Sequence, residues 1–500
     1  MPYSPSGRLG NAAIVTAVVA ALAAFVWSYL RLWGYMVDDG FISLRYAQHL
    51  SQGLGLVYNA GERVEGYTNF LWTVLLSVPF LLKLPLVPFV KITNALLAMV
   101  AAWATWRLGR ASASELGRER RWSWLPALLF LVTPAVIISA AEGLETMLFT
   151  ALLVLSAAWF FEEKGERIPW SALGLAALAM TRPDGVVFAP FFFMIGVIQR
   201  RPRRYLALFA ALFLVPFVTY FVWRATYYGD LLPNTFYAKG GGSALLLQRG
   251  ASQVFRFVID CGGWTWLAAI GAFVVRRTRF VALTLLWVVM LRVAFQLWSG
   301  GPWMQQHRFL VPILPFLLVL TISGIVQWRS RMGRVLALAA VACVMLAPGW
   351  LNRATNEARL SAYGAALRGA QGEFGYQVNA LTSSDAVIAM DDAGLGPFLA
   401  QRTTIDMLGL NDHHIAHLDG AFGKFDFAYV MARRPDLIVL ISRVPAPEID
   451  TDFLIGYHGP MFRSAEFKQH YRLTRTFEFG PSYYLLAFLR LDSVAVPAEF

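Results

Sequence analysis

A chain in which apolar runs of membrane-spanning length follow one another has few ways to fold. Starting at about Asn11–Leu32, such runs return at about 88–106, 123–141, 146–161, 168–180, 186–198, 205–223, 253–275, 280–298, 309–328 and 334–350. A bilayer core about 30 Å thick takes about 20 residues of helix, and backbone polar groups inside it must be satisfied within the segment. The runs therefore predict an α-helical polytopic membrane protein with about eleven spans, several of them short. Composition agrees: 57% of residues are hydrophobic, 15% are charged and mean hydropathy is +0.52. Soluble domains sit nearer 45–50% and 25%, so a water-soluble enzyme and a disordered chain are excluded. Cys261 and Cys343 both lie in apolar runs, so no disulfide framework is expected. The first run is long for a signal peptide and lacks a convincing cleavage site before Trp33, so it is expected to remain as a span. The stretch 70–84, broken by Pro79 and ended by Lys83, is expected to be interfacial or re-entrant.

The net charge of +12 is unevenly spread. Residues 1–350 hold 30 basic and 14 acidic side chains, whereas 351–500 hold 13 and 17. Excess basic charge confined to the apolar part reads as membrane topology, and no interleaving of aromatic and basic residues supports a nucleic-acid partner. Clusters fall at Arg107/Arg110/Arg118/Arg120/Arg121, Arg200/Arg201/Arg203/Arg204, Arg276/Arg277/Arg279 and Arg329/Arg331/Arg334. They share one side only if 70–84 does not cross. With Arg8, Lys164 and Arg167 that side carries 18 basic residues, against five (Arg45, Arg63, Arg182, Lys239, Arg308) on the opposite short loops. Positive loops stay cytoplasmic, which puts the N-terminus inside. Glu115, Glu119, Glu162, Glu163 and Glu166 then lie inside, while Asp38, Asp39, Glu62, Glu65, Glu142, Glu145, Asp184 and Asp230 face outward. Carboxylates contribute little to topology, so their gathering on one face points to a polar site at the outer surface; plain solvated loops are the alternative.

From Leu351 the character changes. Short apolar runs (Ala386–Met390, Leu437–Ile441, Tyr483–Leu489) are separated by Gly, Pro and Asp turns, as in the strands of a small α/β domain. The expected organisation is a transmembrane domain over 1–350 and an extracytoplasmic α/β domain over 351–500.

The first outward loop, Met36-Val37-Asp38-Asp39-Gly40-Phe41-Ile42-Ser43-Leu44-Arg45, puts two carboxylates directly after a span. Such a carboxylate can act as general base towards a sugar hydroxyl or hold a divalent ion. Apolar spacing over Phe41–Leu50 predicts an interfacial helix, for which Asp39 could serve as cap. Further blocks are Arg63-Val64-Glu65-Gly66-Tyr67-Thr68-Asn69, Thr181-Arg182-Pro183-Asp184-Gly185, the run Tyr228-Gly229-Asp230-Leu231-Leu232-Pro233-Asn234-Thr235-Phe236-Tyr237-Ala238-Lys239, and Asp406-Met407-Leu408-Gly409-Leu410-Asn411-Asp412. In this order they resemble the membrane glycosyltransferases of the C superfamily (GT-C) that use polyprenyl-phosphate sugars. More narrowly, they are similar to the bacterial group containing the actinobacterial terminal arabinofuranosyltransferases. One block departs from the resemblance: Gly300-Gly301-Pro302-Trp303-Met304-Gln305-Gln306-His307-Arg308 has Pro302 where that group's pattern carries an Asp.

The resemblance implies an essential acid in the Asp38/Asp39 loop. A lipid-phosphate leaving group needs cations, for which Arg182, Lys239, His307 and Arg308 are the candidates, with headgroup snorkelling as the plain alternative. Glu65, Asn69, Glu142, Glu145, Asp184, Asp230 and Asn234 are candidates to hold sugar or acceptor hydroxyls, and Tyr67, Tyr237 and Trp303 to stack on a sugar ring. Arg292, inside a span, requires a partner within the bundle. His413, His414 and His417 would hold zinc only with further ligands, and no metal is expected there. Asp391-Asp392 before Gly394-Leu395-Gly396 has the look of a strand-to-helix turn, but no Walker or GxGxxG motif accompanies it.

The expected function is transfer of a sugar, by resemblance an arabinofuranosyl group, from a polyprenyl phosphate to an extracytoplasmic cell-envelope glycan. The setting is the bacterial inner membrane. Alternatives are a GT-C transferase acting on a protein or a lipid A-type acceptor, and a transporter for lipid-linked sugars. No cofactor is expected, with a divalent cation at Asp38/Asp39 as the one addition considered.

Overall fold

A computed structural model describes residues 5–496 except 117–121, 164, 166–167, 241–242, 275, 304–306, 329, 421–422 and 447–451. Arg118, Glu119, Arg120, Arg121, Lys164, Glu166, Arg167, Met304, Gln305, Gln306 and Arg329 therefore lie outside the described residues, as do the side chains of Arg8, Glu115, Arg276 and Arg277. Two compact units divide the chain: Met1–Trp33, Val87–Phe221 and Gly241–Ala358 form one, and Gly34–Leu86, Val222–Gly240 and Arg359–Phe500 the other. Besides the tail, the second unit thus takes in the Asp38–Asp39 loop and the Asp230 loop.

The first unit is helical. Among the described residues four helices are long and apolar enough to cross a membrane: Ala12–Arg31, Leu86–Ser112, Arg203–Tyr228 and Arg279–Ser299. Shorter apolar helices include Thr146–Glu162, Trp170–Thr181, Pro183–Ile198 and Val311–Val326. Two runs that read as single spans are broken, each for a backbone reason. Thr133 precedes Pro134, whose ring disfavours helical geometry in the residue before it; Thr133 is extended and 123–141 becomes the helices Leu125–Val132 and Pro134–Ala141. Gly262 and Gly263 adopt φ of +150° and +52°, which bends Ala244–Asp260 away from Gly263–Val274 by 86°. Lys91, fully buried, donates to the carbonyls of Ala141 (2.5 Å) and Leu32 (3.4 Å), which lie at helix C-termini where carbonyls lack intrahelical partners.

In the second unit the tail forms a five-stranded mixed sheet: β1 Val387–Met390, β2 Thr403–Asp406, β3 Leu437–Ser442, β4 Tyr471–Gly480 and β5 Tyr483–Arg490, in the order β2-β1-β3-β5-β4. β1 pairs parallel with β2 and β3, while β5 runs antiparallel to β3 and β4. Three strands follow the apolar runs expected of them. β2 and β4 were not marked by such runs, being rich in Thr, Arg and Asp. β3 is buried at every residue because both sheet faces are covered. Ile388, Val439 and Leu485 pack on one face, and Ala389, Leu440, Leu486 and Phe488 on the other. β1 has β2 on one side and β3 on the other, so its carboxyl end is a topological switch point, the place where open α/β sheets leave a crevice. Asp391 and Asp392 stand there, immediately after Met390.

Candidate active site

Two polar centres stand out, one in each unit. The centre of the second unit collects carboxylates at the end of β1. Asp38 precedes the helix Asp39–Ser51 but does not cap it: its Oδ1 accepts from the backbone N–H of Leu395 at 2.7 Å, while its own N–H donates to Tyr363 Oη at 3.4 Å. Asp39, expected as the cap, is instead the first residue of the helix. Gly394 makes this seat, since a Cβ there would overlap the Asp38 carboxylate. Burial, and then the charge of Asp392, hold the Asp38 carboxyl well above the ordinary carboxylate range, against the pull of the Leu395 N–H.

The neighbouring acids are held just as firmly. Asp392 Oδ2 accepts from Gln371 Nε2 (2.6 Å) and Tyr483 Oη (2.9 Å). Asp391 is buried against His458, whose Nε2 lies 2.5 Å from its Oδ2, and against the Tyr457 hydroxyl. His458 Nδ1 accepts from Ile441 N–H, so Nε2 carries the proton that faces Asp391. Burial first, and the charge of Asp391 second, push the Asp392 carboxyl up to about 6.

A carboxyl that binds its proton more tightly when folded stabilises the fold at low pH. That contribution is lost as pH rises from the unfolded value, about 3.9, through the folded one. Asp392→Asn, which keeps an acceptor for Tyr483 and Gln371, is therefore expected to gain on the order of 2–3 kcal/mol above pH 7 and little below pH 4. Thermal melts across that range check this; a stability difference that does not widen with pH contradicts it.

Four of the motif blocks meet inside this unit. Tyr46 Oη donates to the Val64 carbonyl (2.8 Å), lies 3.2 Å from Asn411 Oδ1 and receives the Gly66 N–H. Asp406 accepts from Asn411 N (2.8 Å) and Nδ2 (2.9 Å), and burial pushes its carboxyl up to about 7. Asn234 Nδ2 reaches the carbonyls of Gly409, Leu410 and Asp412. Glu65 pairs with Arg224 at 2.5 Å, yet burial still lifts its carboxyl to about 7. Asn69 Oδ1 accepts from Ser43 and Thr73, and Tyr67 is buried with its hydroxyl 3.0 Å from that of Tyr228. Arg45, read from the sequence only as an outward charge, is buried and binds the carbonyls of Tyr58, Pro397 and Arg402. Asp230 and Tyr237 lie beside His413 and His417, and Lys239 is exposed at the end of the helix Asn234–Lys239.

The centre of the first unit is an ion network. Glu145 Oε1 accepts from Arg182 Nη1 (2.7 Å) and Arg308 Nη2 (2.6 Å). Asp184 accepts from Arg182 Nε (2.9 Å) and pairs with Arg292, which thereby has the bundle partner it requires. The Phe309 ring lies against the Arg182 guanidinium, 4.2 Å from centroid to carbon. Three guanidiniums against two carboxylates leave one positive charge, and the buried Arg308 Nε has no hydrogen-bond partner among the described residues. Glu142, buried, lies near Lys91. His307 and Trp303 line a pocket of about 220 Å³ with Arg249, Ser252, Gln253 and Arg256, and His307 Nε2 contacts Asp260 at 2.8 Å.

Sequence reasoning missed Tyr363, Tyr483, His458, Arg224, Arg249 and Arg256. Only Asp391-Asp392 carried a signal, a carboxylate pair following an apolar run.

Comparisons with known proteins agree with this architecture. A protein-family profile described as a domain of unknown function, DUF8728, matches residues 359–495. The terminal β-(1→2)-arabinofuranosyltransferase of Mycobacterium tuberculosis is 35% identical over 241 residues, 44% of this chain and 37% of that protein. Its namesake from Corynebacterium glutamicum is 26% identical over 362 residues, 62% of this chain and 52% of that protein. The matched stretches thus span about half of these relatives or less. Among solved structures, ArnT from Cupriavidus metallidurans bound to undecaprenyl phosphate superposes with a TM-score of 0.61 at 13% identity, covering 99% of this chain and 100% of that one. The apo oligosaccharyltransferase of Archaeoglobus fulgidus gives 0.52 at 12% identity, covering 84% and 69%. The fold is that of the GT-C membrane glycosyltransferases.

Proposed function

We propose that this chain, a multi-pass membrane protein that resembles the terminal arabinofuranosyltransferases, moves an arabinofuranosyl group from a polyprenyl phosphate to a cell-envelope glycan. The observation that carries the reading is Asp38: a carboxylate seated on the Leu395 backbone N–H, crowded by other acids and without a cationic partner among the described residues. Such a group is a stronger base than a solvated carboxylate and suits proton removal from an acceptor hydroxyl. Asp39 supports it.

The leaving group is a phosphate monoester formed from a singly charged diester. Its binding falls to Arg182, Arg308, His307 and Lys239, and the one uncompensated positive charge around Glu145 and Asp184 matches a single diester charge. Trp303 and Tyr237 offer faces for a sugar ring. Glu65, Tyr67, Asn69, Asp230 and Asn234 of the second unit, and Glu142, Glu145 and Asp184 of the first, are each proposed to take part in binding sugar or acceptor hydroxyls. The reading keeps 1–350 as the membrane portion with eleven spans and an inside N-terminus, and 351–500 as an extracytoplasmic domain at the bacterial inner membrane. It needs no cofactor; a divalent ion at Asp38/Asp39 is the single addition it accommodates.

Purified full-length protein in nanodiscs, given a panel of polyprenyl-phosphate pentofuranoses and hexopyranoses with an arabinan acceptor, tests this. Transfer and release of polyprenyl phosphate are expected with the arabinofuranose donor. Turnover of a hexose donor alone, or of none, rejects the sugar assignment or the activity.

A further inference from the structure

Two histidines left without a role by the transfer reaction face the same carboxylate. His413 Nε2 lies 3.3 Å from Asp230 Oδ2, and His417 Nε2 lies 3.7 Å from Asp230 Oδ1. One ligand atom from each of the three residues falls within 4.8 Å of the others. We propose that Asp230, His413 and His417 form a binding site for a divalent transition metal ion, with zinc the best match. The inference does not rest on the Asp38 chemistry, although a metal ion on Asp230 would take that carboxylate out of the set offered to sugar hydroxyls.

The geometry suits the ion. Zinc held tetrahedrally at about 2.0–2.1 Å by nitrogen and oxygen places its ligand atoms about 3.4 Å apart, close to the two separations seen here. Two imidazoles select a zinc-like metal over calcium or magnesium, which prefer all-oxygen sites. The tautomer is also set. His417 Nδ1 lies 2.9 Å from the carbonyl oxygen of His413, which can only accept, so Nδ1 carries a hydrogen and Nε2, the nitrogen that faces Asp230, is the one available to a metal.

The ligands are held before any metal arrives. His413 opens a helical turn whose N-terminus is fixed by Asp412 Oδ1 accepting from Ile415 N–H at 3.0 Å. The His417 ring is packed between Tyr237 at 4.3 Å and His413 at 4.0 Å. Asn234 ties the Asp230 segment to the carbonyls of residues 409, 410 and 412, and Lys424 Nζ bridges the carbonyls of Tyr237 and Ala416. Each ligand side chain is partly exposed, from 22% for Asp230 to 54% for His413, so an ion can enter from solvent. Three protein ligands leave a fourth position for water or an anion, and the bound metal clamps the 230–239 segment to the His413–His417 turn.

The test uses full-length, tag-free protein stripped with chelator and titrated with Co²⁺ at pH 7.5. One Co²⁺ per chain with tetrahedral visible absorption, displaced by Zn²⁺, is expected. His413→Ala, His417→Ala and Asp230→Asn should each weaken binding at least tenfold, whereas His414→Ala should not, because that ring pairs with Asp426. Zinc should raise the melting temperature of the wild type but not of His417→Ala, which also verifies that the variant is folded. No absorption band in the wild type, or unchanged affinity in His417→Ala, shows the cluster to be only a surface ion pair and overturns the proposal.

Discussion

Asp38→Asn is expected to fold normally, bind donor and transfer sugar about 10²–10⁴-fold more slowly, the range lost with a general base. Asparagine keeps the oxygen that accepts from Leu395 N–H, so the seat made by Gly394 survives. What disappears is the basic oxygen pair. Because burial and Asp392 raise the Asp38 carboxyl, the substitution also removes an unfavourable charge, and the melting temperature near neutral pH should rise. A rise in stability with a collapse in rate separates chemistry from misfolding.

The same raised carboxyl fixes the sign of the pH profile. Wild-type transfer should fall as pH drops, at a pH above that of an ordinary carboxylate, since protonation abolishes the base. Asp39→Asn should lose less activity and more stability, because an acid in the first turn of the helix Asp39–Ser51 interacts favourably with the helix dipole. Wild-type turnover in Asp38→Asn would move the base to Asp39 or another acid.

Arg182→Ala is expected to destabilise the protein by about 3–5 kcal/mol, as happens when one partner of a buried ion pair is removed. Its guanidinium bonds Glu145 and Asp184 at once and lies on Phe309, so alanine removes one cationic partner from each of two buried carboxylates and leaves a cavity beside the ring. Lysine cannot replace that bidentate geometry and should recover only part of the loss. Donor binding then distinguishes structure from phosphate recognition. In Arg182→Gln the amide can still hydrogen-bond the two carboxylates, which keep Arg308 and Arg292 as partners, so much of the stability should return. If Arg182 also binds the lipid phosphate, donor affinity stays reduced, and the missing contact is worth about 1.5–3 kcal/mol. Wild-type donor affinity in Arg182→Gln assigns the phosphate to Arg308, His307 or Lys239.

The relation of Arg182 to Asp184 was nearly visible in the sequence, two residues apart in one block. Arg308 and Glu145 were not, because 163 positions separate them. Arg292 illustrates a partial reading. Its place inside an apolar run demanded a partner, since a lone charge there is expensive, yet nothing in the sequence named Asp184 over any other acid. The clustering of the acids expected to face outward was similarly informative as a set and silent on arrangement. Asp38 ended beside Asp392, while Glu65 ended against Arg224.

The sequence by itself determined what depends on local composition and period: a helical membrane protein, the strands at Val387–Met390, Leu437–Ser442 and Tyr483–Arg490, and the carboxylate pair following the first span. Apolar length and alternation follow from burial, which each segment declares for itself. Tertiary structure alone decided that 34–86 and 222–240 pack with the tail, that Asp38 faces Leu395 rather than capping its own helix, and that Asp230 meets two histidines of the tail. The physical reason is the reach of the interactions. Hydrophobic burial is non-directional and read from nearby residues, whereas hydrogen bonds and ion pairs need specific partners brought within about 3 Å by the whole fold.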